Sequence, residues 1–437
     1  MYRKVIDALK EWKMREGRKP MILLGARQVG KTWLMKEFGS TCYESAAYIN
    51  CDKEPSAKDL FVADYDIERI LLGIQAISGV KAEPGKTLII IDEIQEAPRA
   101  LHSLKYFCED APEYHVIAAG SLLGVTLGQK ESFPVGKVNM LRVYPMDFEE
   151  FLIASGNKGL SDNILHGDWD LVSLLDKKYR ELLRQYYFVG GMPEAVKNYF
   201  QHRDLRMVRE IQNEIMESYR NDIVKHSGKT EAVRITQVLD SIVSQLTKEN
   251  KKFIYGVLKK GARAAEYEMA IQWLIDAGIL FKVPRVSSIK MPLKAYEEVG
   301  AFKLFLVDCG LFGLCADAPA AQVLTSDNIF KEYKGAFTEQ YVFQQLSSMK
   351  ISPYYWSSEG SPAEIDFVIQ LGGRAVPVEV KAEENVRAKS MSEYIKSHPD
   401  DRLKGLRISM QGYVDQNWME NIPLYAISKY ISEFRAE

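Results

Sequence analysis

Short apolar runs and amphipathic stretches alternate over the first 150 residues of the chain. The runs at 21–24, 86–93 and 115–119 are short and rich in aliphatic residues, as strands buried on both faces are. Segments 43–50 and 137–144 are predicted as two further strands. This alternation predicts an α/β fold, a doubly wound parallel sheet with helices on both faces that binds its ligand at the carboxyl ends of the strands.

Helical periodicity dominates the middle of the chain. Apolar residues recur at three- and four-residue spacing in 170–188 and 204–223, with Gly190-Gly191 and Pro193 between them, which predicts a small helical domain. From residue 232 the pattern changes to three helices and then a strand entering a turn, which is the order of a winged helix-turn-helix. These four elements are predicted at 233–246, 253–260, 264–277 and 278–283.

Basic residues concentrate in this winged-helix candidate. The chain carries a net charge of −2, whereas 220–303 holds fifteen Lys and Arg against nine Asp and Glu. A basic cluster before the third helix is predicted to contact nucleic-acid phosphates without sequence readout. It comprises Lys251, Lys252, Lys259, Lys260 and Arg263. The alternative is a helical protein–protein module whose basic face is only solvated.

The glycine-rich stretch Gly25-Ala-Arg-Gln-Val-Gly-Lys-Thr32 fits the P-loop pattern and lies between the apolar run 21–24 and a predicted helix start at Thr32. Its backbone N–H groups suit a polyphosphate, Lys31 can reach the β- and γ-phosphates, and the Thr32 hydroxyl can bind Mg²⁺. ATP and Mg²⁺ are therefore the expected cofactors. The residues predicted to contact nucleotide here are Gly25, Ala26, Arg27, Gln28, Val29, Gly30, Lys31, Thr32 and Trp33.

Two acids end the apolar run 86–93. Asp92 is predicted to hold Mg²⁺ as a Walker-B aspartate does, and Glu93 is predicted to polarise the attacking water. The alternative for this pair alone is a buried strand that ends in a solvated acidic loop. A further residue is expected to supply positive charge to the transferred phosphoryl group. The sequence does not decide which residue does so, and the candidates are Arg27, Lys137, Arg142 and Arg184.

The C-terminal part carries a second constellation. A helix over 335–346 bears Glu339, and the strands 364–370 and 375–382 form a hairpin with a Gly372-Gly373 turn. Glu379 and Lys381 are two apart and share a face, and Asp366 on the neighbouring strand can meet them. Asp366, Glu379 and Lys381 are predicted to be catalytic, with Glu339, Asp366 and Glu379 binding Mg²⁺. The alternative is an amphipathic hairpin with a solvated polar face.

Several motifs together resemble a prokaryotic AAA+ family in which an ATPase core is fused to a C-terminal domain of uncharacterised function. They are Gly25–Thr32, Ile91–Gln95, Ala119–Leu123, Val143–Phe151, Gly190–Ala195 and Leu306–Leu311. The resemblance implies that Ser121 is a sensor residue near the γ-phosphate or the attacking water; a plain Gly-Ser turn is the alternative. The pattern of Asp366, Glu379 and Lys381 is similar to the PD-(D/E)xK restriction-endonuclease-like superfamily.

Length and composition set the organisation. The chain has 437 residues, five dispersed cysteines and no apolar run near eighteen residues, so we expect a multidomain cytoplasmic protein without a membrane partner. The predicted domains are an AAA+ P-loop core (1–150), a helical lid (151–230), a winged-helix-like domain (231–325) and a PD-(D/E)xK nuclease-like α/β domain (326–437).

These expectations combine into an ATP-binding and ATP-hydrolysing protein, dependent on Mg²⁺, whose nucleotide state controls a nuclease-like, DNA-acting domain. Two alternatives stay open: an ATP-gated switch or scaffold with an inert nuclease fold, and a winged-helix DNA-binding regulator. The sequence also leaves open whether the chain forms a homo-oligomer or binds a protein partner.

Overall fold

The computed structural model describes residues 1–121, 133–248, 251–325, 331–358, 362–383 and 388–434. They form two compact units. The N-terminal unit comprises Met1–Tyr144 with Asp276–Ile279, and the C-terminal unit comprises Pro145–Ile275 with Leu280–Glu437. The first unit ends close to the predicted domain boundary after residue 150, and the four-domain division stays a prediction.

The N-terminal unit contains a five-stranded sheet whose strand pairs are all parallel, in the order β2-β3-β4-β1-β5. Its strands are β1 Met21–Leu24, β2 Ser45–Asn50, β3 Thr87–Asp92, β4 His115–Ala119 and β5 Asn139–Arg142. Its helices are α1 Val5–Met14, α2 Lys31–Cys42, α3 Pro55–Asp59, α4 Ile67–Ser78 and α5 Pro98–Asp110. The predicted parallel α/β core is confirmed, with β1 and β4 at the expected bounds.

Burial explains why these strands form. Every residue of β3 and β4 is buried, and Ile89 and Ile91 of β3 pack into one core with α4 and α5. Full burial of one such side chain stabilises the fold by about 1.5–3 kcal/mol. Continuous apolar runs are therefore stable only as central strands covered on both faces.

The C-terminal unit combines a helical region with an eight-stranded mixed sheet in the order β12-β13-β11-β10-β9-β8-β6-β7. Its strands are β6 Leu280–Val286, β7 Glu297–Leu306, β8 Tyr354–Ser357, β9 Glu364–Leu371, β10 Arg374–Val380, β11 Gly405–Ser409, β12 Val414–Gln416 and β13 Met419–Pro423. The helices before β6 are α6 Phe148–Ala154, α7 Lys158–His166, α8 Trp169–Leu174, α9 Asp176–Val189, α10 Pro193–His202, α11 Leu205–His226, α12 Lys229–Leu246 and α13 Ala264–Asp276. The later helices are α14 Cys309–Cys315, α15 Ala320–Thr325, α16 Lys331–Ser348, α17 Lys389–Ser397 and α18 Ile427–Glu433.

The sheet runs across the predicted boundary after residue 325. Strands β6 and β7 form the antiparallel pair expected of a wing, and β6 also pairs in parallel with β8 through Arg285 and Val286. The wing candidate and the C-terminal strands thus share one hydrogen-bonded sheet.

The second helix of the winged-helix prediction is wrong. Between α12 and α13 the described chain forms only a single 3₁₀ turn, Tyr255–Val257. Phe253 is buried, its N–H donates to the Phe302 carbonyl at 2.8 Å, and the two rings stack with centroids 5.5 Å apart. Gly256 and Gly261 also lower the helix propensity of this short segment. Together with the packing of Phe253 against Phe302, this outweighs the amphipathic pattern that predicted a helix.

Two of the sequence signatures meet at one buried carboxylate. Asp308 accepts hydrogen bonds from the backbone N–H groups of Gly191, Gly310 and Leu311 at 2.6, 2.9 and 3.0 Å, and from the Gln344 amide at 3.0 Å. A Cβ on Gly190 would lie 2.1 Å from Asp308 Oδ1. The glycine pair therefore lets the backbone approach a helix-capping aspartate, so this junction is structural.

Neither a disulfide nor a membrane-spanning helix contributes to the described structure. All five cysteines are free thiols. None of the described helices is both long and apolar enough to cross a membrane.

Candidate functional site

The loop between β1 and α2 has the backbone geometry of an anion-binding turn. Gly25 has φ 141° and Gly30 has φ 94°, a region that side-chain-bearing residues seldom adopt. A Cβ on Gly25 would lie 2.3 Å from the Val143 carbonyl oxygen, so glycine is needed there for space as well. Helix α2 begins at Lys31, so the N–H groups of its first turn face the loop.

Lys31 lies inside this turn. Its side chain is buried, and Nζ donates to the carbonyls of Gly25 and Ala26, at 2.8 Å each. An ammonium held by backbone carbonyls stays within the loop where phosphate oxygens would bind. Arg3 holds the far side of the loop through a hydrogen bond to the Val29 carbonyl at 3.0 Å.

Asp92 meets the P-loop as predicted. The Thr32 hydroxyl donates to Asp92 Oδ2 at 2.8 Å, and the Tyr48 hydroxyl donates to the same oxygen at 2.9 Å. Asp92 is buried at the end of β3. A hydroxyl and a carboxylate in contact are oxygen donors of the kind that Mg²⁺ takes from a protein beside substrate phosphates, so Thr32 and Asp92 fit this ion.

Glu93 is held in an unusual backbone conformation next to Asp92. Its φ and ψ are 50° and 45°, the left-handed region, and its N–H donates to Asp92 Oδ1 at 3.1 Å. The Gln95 amide donates to Glu93 Oε2 at 2.7 Å, and the Ser121 hydroxyl lies 3.3 Å from the same oxygen. A non-glycine residue in this region is typical of functional sites, where the surrounding structure supports the strain.

The remaining P-loop positions differ in exposure. Ala26 and Val29 are buried, and the Trp33 ring is exposed. Gln28 also has a positive φ, of 65°. Contacts of these side chains and of Arg27 with nucleotide stay predictions. Of the residues considered for phosphoryl-charge stabilisation, Lys137 forms an ion pair with Glu109 at 2.7 Å. Leu122 and Leu123 of the Ser121 motif lie outside the described residues.

The C-terminal hairpin brings its three predicted residues together. Strands β9 and β10 pair antiparallel around Gly372 and Gly373, and the Val380 N–H donates to Asp366 Oδ2 at 2.8 Å. Lys381 Nζ lies 2.5 Å from Glu379 Oε1. Asp366, Glu379 and Lys381 thus form one polar cluster, whose two carboxylates are buried.

Glu339 joins this cluster through lysines from elsewhere in the C-terminal unit. It forms an ion pair with Lys251, and its Oε2 lies 3.8 Å from Nζ of Lys303. Lys251 Nζ is also 4.0 Å from Asp366 Oδ1, and Lys303 forms an ion pair with Glu364. The prediction that Lys251 contacts nucleic acid from the surface is wrong, because its ammonium pairs with a buried carboxylate.

Burial and charge separate the acids of this cluster. Burial raises the pKa of Glu339 to about 7 and, reinforced by Asp366, that of Glu379 to about 8. Burial also acts to raise the pKa of Asp366, but the ammonium groups of Lys251, Lys303 and Lys381 outweigh it and lower that pKa. For Lys251, the nearby carboxylates outweigh burial and raise the pKa.

The donor types of this cluster fit Mg²⁺. Glu339 Oε2 and Glu379 Oε2 are buried oxygens that accept no hydrogen bond from the described residues. Carboxylate oxygens completed by waters are common Mg²⁺ ligands. No group of three Asp, Glu, His or Cys side chains within the described ranges is gathered closely enough to hold a metal ion. The cluster therefore has carboxylate oxygens that could bind a metal ion, but among the described residues no three such side chains lie close enough together to enclose one.

Residues 17–152 match the family model of an AAA domain. This part of the chain is an AAA-type P-loop ATPase domain. Two further family models, both described as domains of unknown function (DUF8612 and DUF4143), match residues 180–322 and 334–431. A search of curated proteins finds no significant match to the chain.

Three solved structures show distant similarity to the chain. The Walker-type ATPase PABY2304 of Pyrococcus abyssi is 14% identical, with 71% of this chain and 94% of that chain covered and a TM-score of 0.44. DnaA of Aquifex aeolicus bound to AMPPCP is 15% identical (62% and 86% covered, TM-score 0.28). Orc1 of Aeropyrum pernix in complex with DNA is 14% identical (74% and 92%, TM-score 0.25). Scores this low carry no argument about the ligands of this chain.

Several residues of the two sites escaped sequence reasoning. Around the P-loop these are Arg3, Tyr48 and Gln95; Gln95 ends the motif Ile91–Gln95, but no role was predicted for it. In the C-terminal unit they are Lys303 and Glu364. Lys303 lies on β7, far along the chain from its carboxylate partners, and in the sequence it is one more basic residue of 220–303.

Proposed function

We propose that the chain is a Mg²⁺-dependent ATPase whose nucleotide state controls a nuclease-like activity of its C-terminal unit on DNA. The ATPase part of the proposal is supported mainly by the hydrogen bond between Thr32 and Asp92. This bond joins the P-loop helix to the end of the strand that precedes Glu93. Mg²⁺, held by Thr32 and Asp92, would neutralise phosphate charge during the reaction.

The AAA domain's own residues would perform the remaining steps. The N-terminus of α2 and the Lys31 ammonium would bind the polyphosphate, and Thr32 and Asp92 would hold the ion. Glu93 would orient the attacking water and accept its proton, while Gln95 and Ser121 keep the carboxylate in place.

The test of the ATPase proposal is nucleotide binding and phosphate release by the wild type, Lys31→Ala and the exposed control Lys10→Ala. Wild type and Lys10→Ala should bind and hydrolyse MgATP. Lys31→Ala should lose both, and hydrolysis should stop in EDTA. Normal hydrolysis by Lys31→Ala would contradict the proposal.

A second function, cleavage of nucleic-acid phosphodiesters, is favoured by the Asp366–Glu379–Lys381 cluster. Glu379 and Asp366 supply carboxylate oxygens for Mg²⁺, and Lys381 supplies positive charge for the developing phosphorane. Plasmid, single-stranded DNA and RNA should be incubated with Mg²⁺ or Mn²⁺, with and without ATP. Cleavage that is lost in Asp366→Ala and Lys381→Ala supports the enzyme; no cleavage of any substrate supports an inert fold that acts as a switch or scaffold.

DNA, if bound, would meet the exposed part of the basic cluster. Lys259 and Lys260 are exposed, whereas Lys251 is engaged internally. A winged-helix regulator would bind DNA with a steep salt dependence that weakens in Lys259→Ala/Lys260→Ala, since each lost phosphate contact lowers the slope by about 0.9. Binding that does not respond to salt would exclude this role.

A further inference from the structure

In the candidate cleavage site of the C-terminal unit, most of the carboxylate charge is already compensated by the protein itself. Four carboxylates meet three ammonium groups there. The acids are Glu339, Glu364, Asp366 and Glu379, and the cations are Lys251, Lys303 and Lys381. A divalent cation would need the same carboxylate oxygens, so its binding depends on which ammonium groups can leave.

The three lysines differ in how firmly they are held. Lys303 is fully buried in the middle of β7, paired with Val283 of β6, and its ammonium lies 4.8 Å from the centre of the Tyr355 ring. Lys381 forms the close pair with Glu379 that the catalytic proposal uses. Lys251 lies between α12 and α13 but belongs to no strand or helix, and 18% of its side chain is exposed.

Lys251 also contacts the two carboxylates that would matter most. It pairs with Glu339 of α16 and lies 4.0 Å from Asp366 Oδ1 of β9, so one ammonium group interacts with carboxylates on two elements. The second oxygen of Glu339 is buried and accepts no hydrogen bond from the described residues. If Lys251 withdrew, Glu339 and Asp366 would lose one positive charge and keep the geometry imposed by their helix and strand.

We propose that the Lys251 ammonium is an internal competitor of the divalent cation at Glu339 and Asp366. With the Lys251 ammonium in place the cluster is closed to metal; withdrawal of that side chain opens it. Coulomb repulsion between an ammonium and a divalent ion a few ångströms apart in a buried site makes the two occupants mutually exclusive. The inference rests on the second proposed function, since it requires that these carboxylates bind a metal at all.

The experiment measures Mn²⁺ affinity of the full-length protein without nucleotide, by the electron paramagnetic resonance signal of free Mn²⁺. The variants are Lys251→Met, the charge-preserving Lys251→Arg and the exposed control Lys260→Met. Each is repeated with Asp366→Asn, so that binding dependent on Asp366 identifies this site. Circular dichroism checks folding, and Lys251→Gln replaces Lys251→Met if the latter unfolds.

We expect Lys251→Met to bind Mn²⁺ on the order of tenfold more tightly than the wild type, because one repelling charge is gone. Lys251→Arg and Lys260→Met should match the wild type, and Asp366→Asn should remove the gain. Equal affinity of Lys251→Met and wild type, with binding still lost in Asp366→Asn, would overturn the competitor role and leave the metal site standing. No Asp366-dependent Mn²⁺ binding in any variant would overturn both.

Discussion

The two candidate sites hold their acids in opposite ways. In the AAA domain, Asp92 and Glu93 accept hydrogen bonds from neutral donors: the hydroxyls of Thr32 and Tyr48 and the amide of Gln95. In the C-terminal unit, Glu339 and Glu379 are paired with lysine ammonium groups. Neutral donors orient a carboxylate without compensating its negative charge, so the charge can still attract a cation. An ammonium group compensates that charge. On our proposals, the first arrangement would accept a metal–nucleotide complex as it stands, and the second would first have to lose an internal cation.

The largest expected effect tests whether Glu93 is a working base. Glu93→Gln keeps the shape and the Gln95 contact but cannot accept a proton, so the turnover rate should fall by about 10²–10⁴-fold while ATP binding persists. Phosphate release and ATP retention on a filter measure the two quantities. The exposed Glu113→Gln variant is the control, and normal turnover of Glu93→Gln would show that another group activates the water.

Removing a structural cation should destabilise the C-terminal unit strongly. Lys303→Met leaves Glu364 and the buried Glu339 without their shared ammonium, which should lower the free energy of unfolding by about 3–5 kcal/mol. Urea unfolding, followed by hydrogen exchange to assign the unit, measures this. Lys282→Met, on the neighbouring strand β6, serves as the control. A loss below about 1 kcal/mol would mean that Lys303 behaves like a surface ion pair.

Opposite pH dependences should distinguish the two units. Burial lowers the pKa of His115 to about 4 from 6.5, so the unfolded chain binds a proton that the folded unit does not, and stability falls as pH falls from about 6.5 to 4. Burial raises the pKa of Glu379 to about 8 from 4.5, so the folded unit keeps a proton that the unfolded chain releases, and stability falls as pH rises from about 4.5 to 8. Each effect is limited to a few kcal/mol, about 1.4 per pKa unit.

Hydrogen exchange of each unit at pH 5, 6.5 and 8 measures these slopes. His115→Gln should flatten the acid slope of the N-terminal unit, and Glu379→Gln should flatten the alkaline slope of the C-terminal unit. Slopes of the same sign in both units would contradict the contrast between them.

The smallest effect concerns one neutral donor. Tyr48→Phe removes one of two hydrogen bonds to Asp92 Oδ2, so stability should fall by about 1 kcal/mol and ATP affinity by less than tenfold. Thermal unfolding and nucleotide titration measure the two changes, with Tyr106→Phe as the control. A loss of ATP binding as large as that of Lys31→Ala would make Tyr48 a principal part of the site.

Much of the AAA domain was predictable from sequence, because its determinants are local. The strands β1 and β4 have the predicted bounds, and Thr32 and Asp92 meet as their motifs require. A glycine-rich turn between a buried strand and a helix constrains its own backbone, and parallel strands bring their carboxyl ends to one edge. The hairpin of Asp366, Glu379 and Lys381 was predictable as well, since strand alternation places Asp366 and Glu379, and Lys381 directly follows β10.

Only the tertiary structure decided which charges meet. Lys251 and Glu339 are 88 residues apart, and Lys303 and Glu364 are 61 apart. In the sequence both lysines belong to the basic segment 220–303. Its composition is equally consistent with a solvated surface and with a DNA-contacting surface. Pairing of β6 with β8 and packing of Phe253 against Phe302 bring these lysines to the buried Glu339 and the partly buried Glu364. Short-range periodicity therefore determined the strands, the P-loop and the acid–lysine hairpin. Long-range packing decided that Lys251 and Lys303 meet the remaining acids of the cluster, because a charge that is buried without a partner costs too much free energy.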